Sequence, residues 1–89
     1  MLTKVTRLER LGDHRLGVHF SDGSYGIHDF GNLVREPGEM REPLRDPAYF
    51  ARVFLEFGAP SWPNGYDMAP EWLRQEMAPA GELNRTAAE

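Results

Sequence analysis

Two histidines and two aspartates are the residues of this chain whose types and spacing could do chemistry. His19 and His28 flank an Asp22-Gly23 turn. If that pair forms a two-residue hairpin loop, Phe20 faces Tyr25, Val18 faces Ile27 and Gly17 faces His28. In that register Gly17, His19, Gly26 and His28 share one face. The imidazoles become diagonal neighbours, about 7–8 Å apart, and could converge on a metal. A third ligand would have to come from Asp13 or His14. Structural zinc sites normally need four ligands, so the plainer reading prevails: a polar, solvent-facing sheet face. Two glycines on one face also mark close approach by another backbone or a partner.

Asp22 and Asp67 could form a carboxylate pair for acid–base work. Both lie near Gly or Pro, where turns and caps use Asp, so local roles are expected. Asp22 then shapes the hairpin turn, and Asp67 caps or orients the approach to the last helix. Ser21, Ser24 and Ser61 could pair with histidines in a hydrolase, but none sits in a Gly-x-Ser-x-Gly elbow.

The elements that must carry these residues follow from periodicity. Residues 3–11 predict a strand with a bulge, and Gly12-Asp13-His14 a turn. Leu16, Val18 and Phe20 alternate with polar or small residues, which predicts a strand with one buried face. Tyr25 and Ile27 continue the alternation on the next strand. A helical turn is expected at 29–34 and a loop at 35–45. Asp46-Pro47 opens a short helix ending near Phe50, with Asp as cap and Pro at the first position. Val53, Leu55 and Phe57 alternate on a further strand, with Phe54 on its opposite face. Gly58 breaks it, and 59–62 return as a final short strand. Pro63-Asn64-Gly65 predicts a turn. Pro70 opens a last helix to about Met77, with Leu73 and Met77 on one side. Trp62 is expected in the core. Trp72 lies at the margin of the inward stripe, and with Phe54 is either covered by helices or forms a partner-binding patch.

With 89 residues the chain is one domain with a small core. The expected division is an α+β domain over 1–78 and a disordered tail over 79–89. A net charge of −4 argues against direct nucleic-acid binding. There is no cysteine, hence no disulfide or thiolate metal site. The absence of a leader-like or membrane-spanning apolar run makes a cytoplasmic protein, without membrane association, the expectation.

Three motifs now stand in order: Leu16-x-Val18-x-Phe20-Ser21-Asp22-Gly23, Leu44-x-Asp46-Pro47-x-x-Phe50, and Trp62-Pro63-Asn64-Gly65-x-Asp67 with Pro70 and Leu73 after it. Over residues 4 to 75 the chain resembles the small bacterial proteins grouped as domain of unknown function 2442. The resemblance implies a small α+β fold with a mainly antiparallel sheet and two short helices. It also implies two kinds of context. Some relatives carry a helix-turn-helix DNA-binding domain after this one, and others are encoded beside a second small protein, as in toxin–antitoxin pairs. It carries no catalytic residue. A molybdopterin-guanine dinucleotide role has no support, since no glycine-rich phosphate loop follows a strand.

The expected architecture is therefore α+β: an antiparallel sheet of about four or five strands with two short helices. The expected function is a non-enzymatic interaction module, without cofactor or metal, that binds a small partner protein in antitoxin-like fashion. Phe54, Trp72, Gly17, His19, Gly26 and His28 are the candidate contacts. The alternative is a ligand-sensing regulatory domain. Exposed edge strands leave a homodimer by sheet extension open.

Overall fold

The computed structural model describes residues 3–85. β1 (Val5–Gly12), β2 (Arg15–Phe20) and β3 (Ser24–Asp29) form an antiparallel meander. The two-residue β6 (Asn84–Arg85) adds to β3, giving the order β1-β2-β3-β6. β4 (Phe54–Glu56) and β5 (Ala59–Ser61) make a separate hairpin. Three helices complete the fold: α1 (Gly31–Arg35), α2 (Pro47–Phe50) and α3 (Pro70–Met77). A 3-10 turn over Glu42–Arg45 interrupts the expected loop and buries Leu44. The class is α+β, as the residue pattern predicts, with one helix more than expected.

Local chemistry explains most boundaries. Asp13 and His14 both take positive φ in the tight β1–β2 turn. Asp46 accepts the Ala48 amide at 3.0 Å and Pro47 begins α2. Gly65 takes φ 93° and donates to the Trp62 carbonyl, closing the Pro63-Asn64-Gly65 turn. Pro70 begins α3, but its cap position is Ala69 and no side chain caps it. Asp67 therefore does not cap the helix; its backbone bridges Ser61 instead.

The β2–β3 register differs from the expected one by a residue. His19 stands opposite Tyr25, Val18 opposite Gly26, Gly17 opposite Ile27 and Leu16 opposite His28. The cause is the turn. Only Gly23 has positive φ, whereas a two-residue loop of that type needs it at both central positions. Asp22 instead accepts the Ser24 amide at 2.9 Å and its hydroxyl at 2.6 Å, which holds a three-residue Ser21-Asp22-Gly23 loop. Phe20, Val18 and Leu16 still face the core, now alongside Ser24 and Gly26. Gly17, His19, Tyr25 and Ile27 take the opposite face, where Ile27 is 57 % exposed.

The core holds Leu16, Val18, Phe20, Phe30, Val34, Leu44, Phe50, Val53, Leu73 and Met77 around Trp62. Trp62 is 1 % exposed, and its indole N–H donates to the Phe50 carbonyl at 2.9 Å. The β4–β5 hairpin runs beside β1. Val5 donates to the Gly58 carbonyl at 2.8 Å, and the Arg10 guanidinium donates to the Ala51 and Val53 carbonyls. The outer edge of β1 is thus occupied near both ends.

Two further expectations change. β4 ends at Glu56, and Phe57-Gly58 forms its turn with both φ positive, so Phe57 points outward at 95 % exposure. Residues 79–85 do not leave the fold as a tail: Glu82 packs under β3 and Asn84–Arg85 pair with it. Residues 86–89 of the expected tail lie outside the described residues.

Candidate functional site

α3 builds one wall of a surface concavity. Leu73 and Met77 are one turn apart and fully buried, which fixes the helix rotation. Trp72 precedes Leu73 and so falls on the margin of that stripe, 37 % exposed. Glu76 lies one turn further along the same margin. Leu33 of α1 and the Tyr66-Asp67-Met68 segment complete the walls.

The result is a concavity of about 450 Å³ lined by Leu33, Glu36, Arg41, Tyr66, Met68, Trp72 and Glu76, among others. A second, of about 170 Å³, shares Leu33, Glu36, Trp72 and Glu76 and adds His28, Asp29 and Asn32. Together they form one groove with the Trp72 indole common to both halves. Asp29, Glu36, Asp67 and Glu76 line it against one guanidinium, Arg41. That guanidinium pairs with Glu36 at 3.4 Å and donates to the Pro37 carbonyl at 3.1 Å. It also donates to the Tyr66 hydroxyl at 3.4 Å, and this bond raises the arginine pKa further.

The predicted contact residues are not brought together. Trp72 and His28 line the groove. Gly17 and His19 line a different concavity of about 390 Å³ on the uncovered sheet face, with Tyr25 and Ile27, which also reaches the Gly26 backbone, Glu82 and Asn84. Phe54, 43 % exposed, belongs to the hairpin and is not among the groove residues.

His19 and His28 lie on opposite faces, which removes the shared metal site. His19 stacks on Tyr25 at 5.4 Å and meets Glu9 at 3.5 Å. His28 meets Glu82 at 2.7 Å and sets its edge against Phe30. His14 meets the Leu44 carbonyl at 2.8 Å. Among the described residues no cluster of three potential ligands forms.

The expectation of close backbone approach applies at Gly26 alone; at Gly17, on the opposite face, the neighbour is the Glu9 side chain. A Cβ on Gly26 would sit 1.9 Å from the Glu82 carbonyl oxygen. A Cβ on Gly17 would sit 2.8 Å from the Glu9 carboxylate.

Asp22 and the three serines are engaged in hydrogen bonds within the fold. Ser24 holds Asp22 well below the usual carboxylate range, at about 2, through its hydroxyl and amide. Arg74 adds to this from 2.9 Å. A carboxylate so engaged is a poor general base. Ser21 accepts the Lys4 amide, Ser24 donates to Asp22, and Ser61 donates to the Ala59 carbonyl. No helix among the described residues is long and apolar enough to cross a membrane.

Comparison with family models, curated proteins and solved structures finds no match for the chain. The resemblance to domain of unknown function 2442 therefore rests on its three motifs.

Proposed function

We propose that the domain is a non-enzymatic protein-interaction module whose partner docks in the Trp72 groove. The observation that carries this is the exposed indole common to two contiguous concavities, on a domain small enough to need its large aromatics inside. Aromatic anchors seated in concave sites dominate binding energy at interfaces. The engagement of Asp22 and the three serines in hydrogen bonds within the fold supports a non-enzymatic reading. The motif resemblance supports a small protein as partner, in antitoxin-like fashion.

Affinity capture of the tagged chain from its own cells, with nuclease treatment, tests this. The expected result is one small protein in near-stoichiometric amount, lost with Trp72→Ala and kept with Phe54→Ala. Loss with Phe54→Ala alone would move the interface to the hairpin. The antitoxin version further expects co-expression to relieve toxicity of a neighbouring small protein.

The groove volume also lies in the range of small-molecule sites, which favours a ligand sensor as the second reading. Recovery of the bait alone, with a metabolite that raises the melting temperature of the wild-type chain but not of Trp72→Ala, would establish it instead.

A further inference from the structure

We infer that the Trp72 groove takes a basic, amphipathic segment of a protein partner; this rests on the interaction-module reading above and adds the partner's chemistry. Carboxylates alone would be a solvated surface. Here they rim a concavity whose mostly polar lining includes the apolar side chains of Leu33 and Trp72. Half-buried Leu33 offers contact for aliphatic side chains, and Trp72 offers an exposed indole. Four carboxylates face one guanidinium, and that guanidinium is already held by Glu36 and Tyr66. Among the described residues no cation pairs with Asp67 or Glu76. A lysine or arginine entering the groove would meet those carboxylates and could approach the indole in a cation–π contact. An acidic segment would meet like charge on both walls. Nucleic acid is disfavoured by the same sign.

The competing surface is the uncovered sheet face, and it selects nothing comparable. Its Glu9 is paired with Arg7 and His19, and its Glu82 with His28. These carboxylates already have partners within the chain. The Trp72 groove, by contrast, sets Asp67 and Glu76, which have no cation partner among the described residues, beside an exposed indole in a concavity.

The test uses two synthetic helical peptides of equal length and apolar pattern, one built from Leu and Lys, the other from Leu and Glu. Binding is followed by the indole N–H signals in two-dimensional NMR. Trp62 is buried and hydrogen-bonded, so its signal reports on the fold, while that of Trp72 reports on the groove. The Leu/Lys peptide is expected to shift the Trp72 signal and leave that of Trp62 in place. Asp67→Asn with Glu76→Gln should weaken it by about tenfold, on the order expected for lost close charge pairs, without changing the melting temperature. Raising salt from about 0.05 to about 0.5 M should weaken it as well.

Equal binding of the Leu/Glu peptide, or unchanged affinity in the neutralised variant, overturns the basic-segment inference. In that case a shifted Trp72 signal still leaves the groove as an interaction site. If neither peptide moves Trp72, the inference fails. Whether the groove reading fails with it is then decided by partner capture, which must lose its protein with Trp72→Ala.

Discussion

At the scale of single residues, Asp22 does most to set the geometry of the sheet. Its carboxylate accepts two bonds from Ser24 and pairs with Arg74, 52 positions away. It therefore selects a hairpin loop and also ties that loop to α3. Its pKa near 2 lies below the ordinary value of 3.8, so ionised Asp22 is bound more favourably in the folded chain than in the unfolded one. The sign follows directly. The stabilisation is complete above the unfolded value and disappears as pH falls through 4 towards 2. Side-chain exposure of 38 % means that solvent screens part of it. Asp22→Ala is expected to cost about 1–2 kcal/mol near neutral pH, the scale of charge-assisted bonds at a surface. Urea unfolding of both proteins at pH 7 and near pH 2.5 should show the gap closing at the lower pH. A gap that is constant across this range would mean that the aspartate acts through backbone conformation alone.

At the scale of elements, the β3 strand explains what could and could not be read from the residues. The Leu16-Val18-Phe20 alternation, the Asp46-Pro47 start, the Pro70 start and the burial of Trp62 were all legible, because each is a local signal. The register was not. β2 buries the same three side chains in either register, so its alternation could not decide. Tyr25 and Ile27 then favoured the wrong face, since apolar residues were expected inside. The inner face of β3 carries Gly26 because the backbone of Glu82 lies against it. That contact joins residues 56 positions apart and leaves no periodic trace. The groove was illegible for the same reason. Leu33, Tyr66, Met68 and Trp72 come from three separate segments, and only packing assembles them. Gly26→Ala tests the account. A methyl group cannot occupy a point 1.9 Å from a backbone oxygen, so the 82–85 segment must shift. The expected cost is about 1–3 kcal/mol, as for overpacking. Amide exchange should speed up at Tyr25 and Asn84 before the rest of the sheet. Unchanged protection there would contradict the packing of Glu82 on β3.

At the scale of the whole molecule, the main sheet and the β4–β5 hairpin share no continuous ladder. They are held together by the Val5–Gly58 bond, the Arg10 guanidinium and the core around Trp62. Trp62 is central to that junction. Its ring lies 5.5 Å from Phe50 and 5.8 Å from Tyr66, and its N–H satisfies the Phe50 carbonyl at the end of α2. It also begins the turn whose following segment lines the Trp72 groove. A domain of this length is expected to have a total stability of about 5–10 kcal/mol. Trp62→Ala removes the largest fully buried side chain at a cost of about 3–5 kcal/mol, enough to leave much of the chain unfolded. Trp62→Phe separates the two contributions. It keeps a ring in the core but removes the indole donor from the Phe50 carbonyl, which still accepts the Val53 amide, so the loss is that of one hydrogen bond, about 0.5–1.5 kcal/mol. Denaturant titration should therefore rank wild type above Trp62→Phe, and Trp62→Ala far below both. Because the same residue begins the turn that leads to the groove, the Phe variant should also weaken capture of the partner while remaining folded. A Trp62→Ala protein that unfolds like wild type would remove Trp62 from the junction and require the hairpin to be held by Val5 and Arg10 alone.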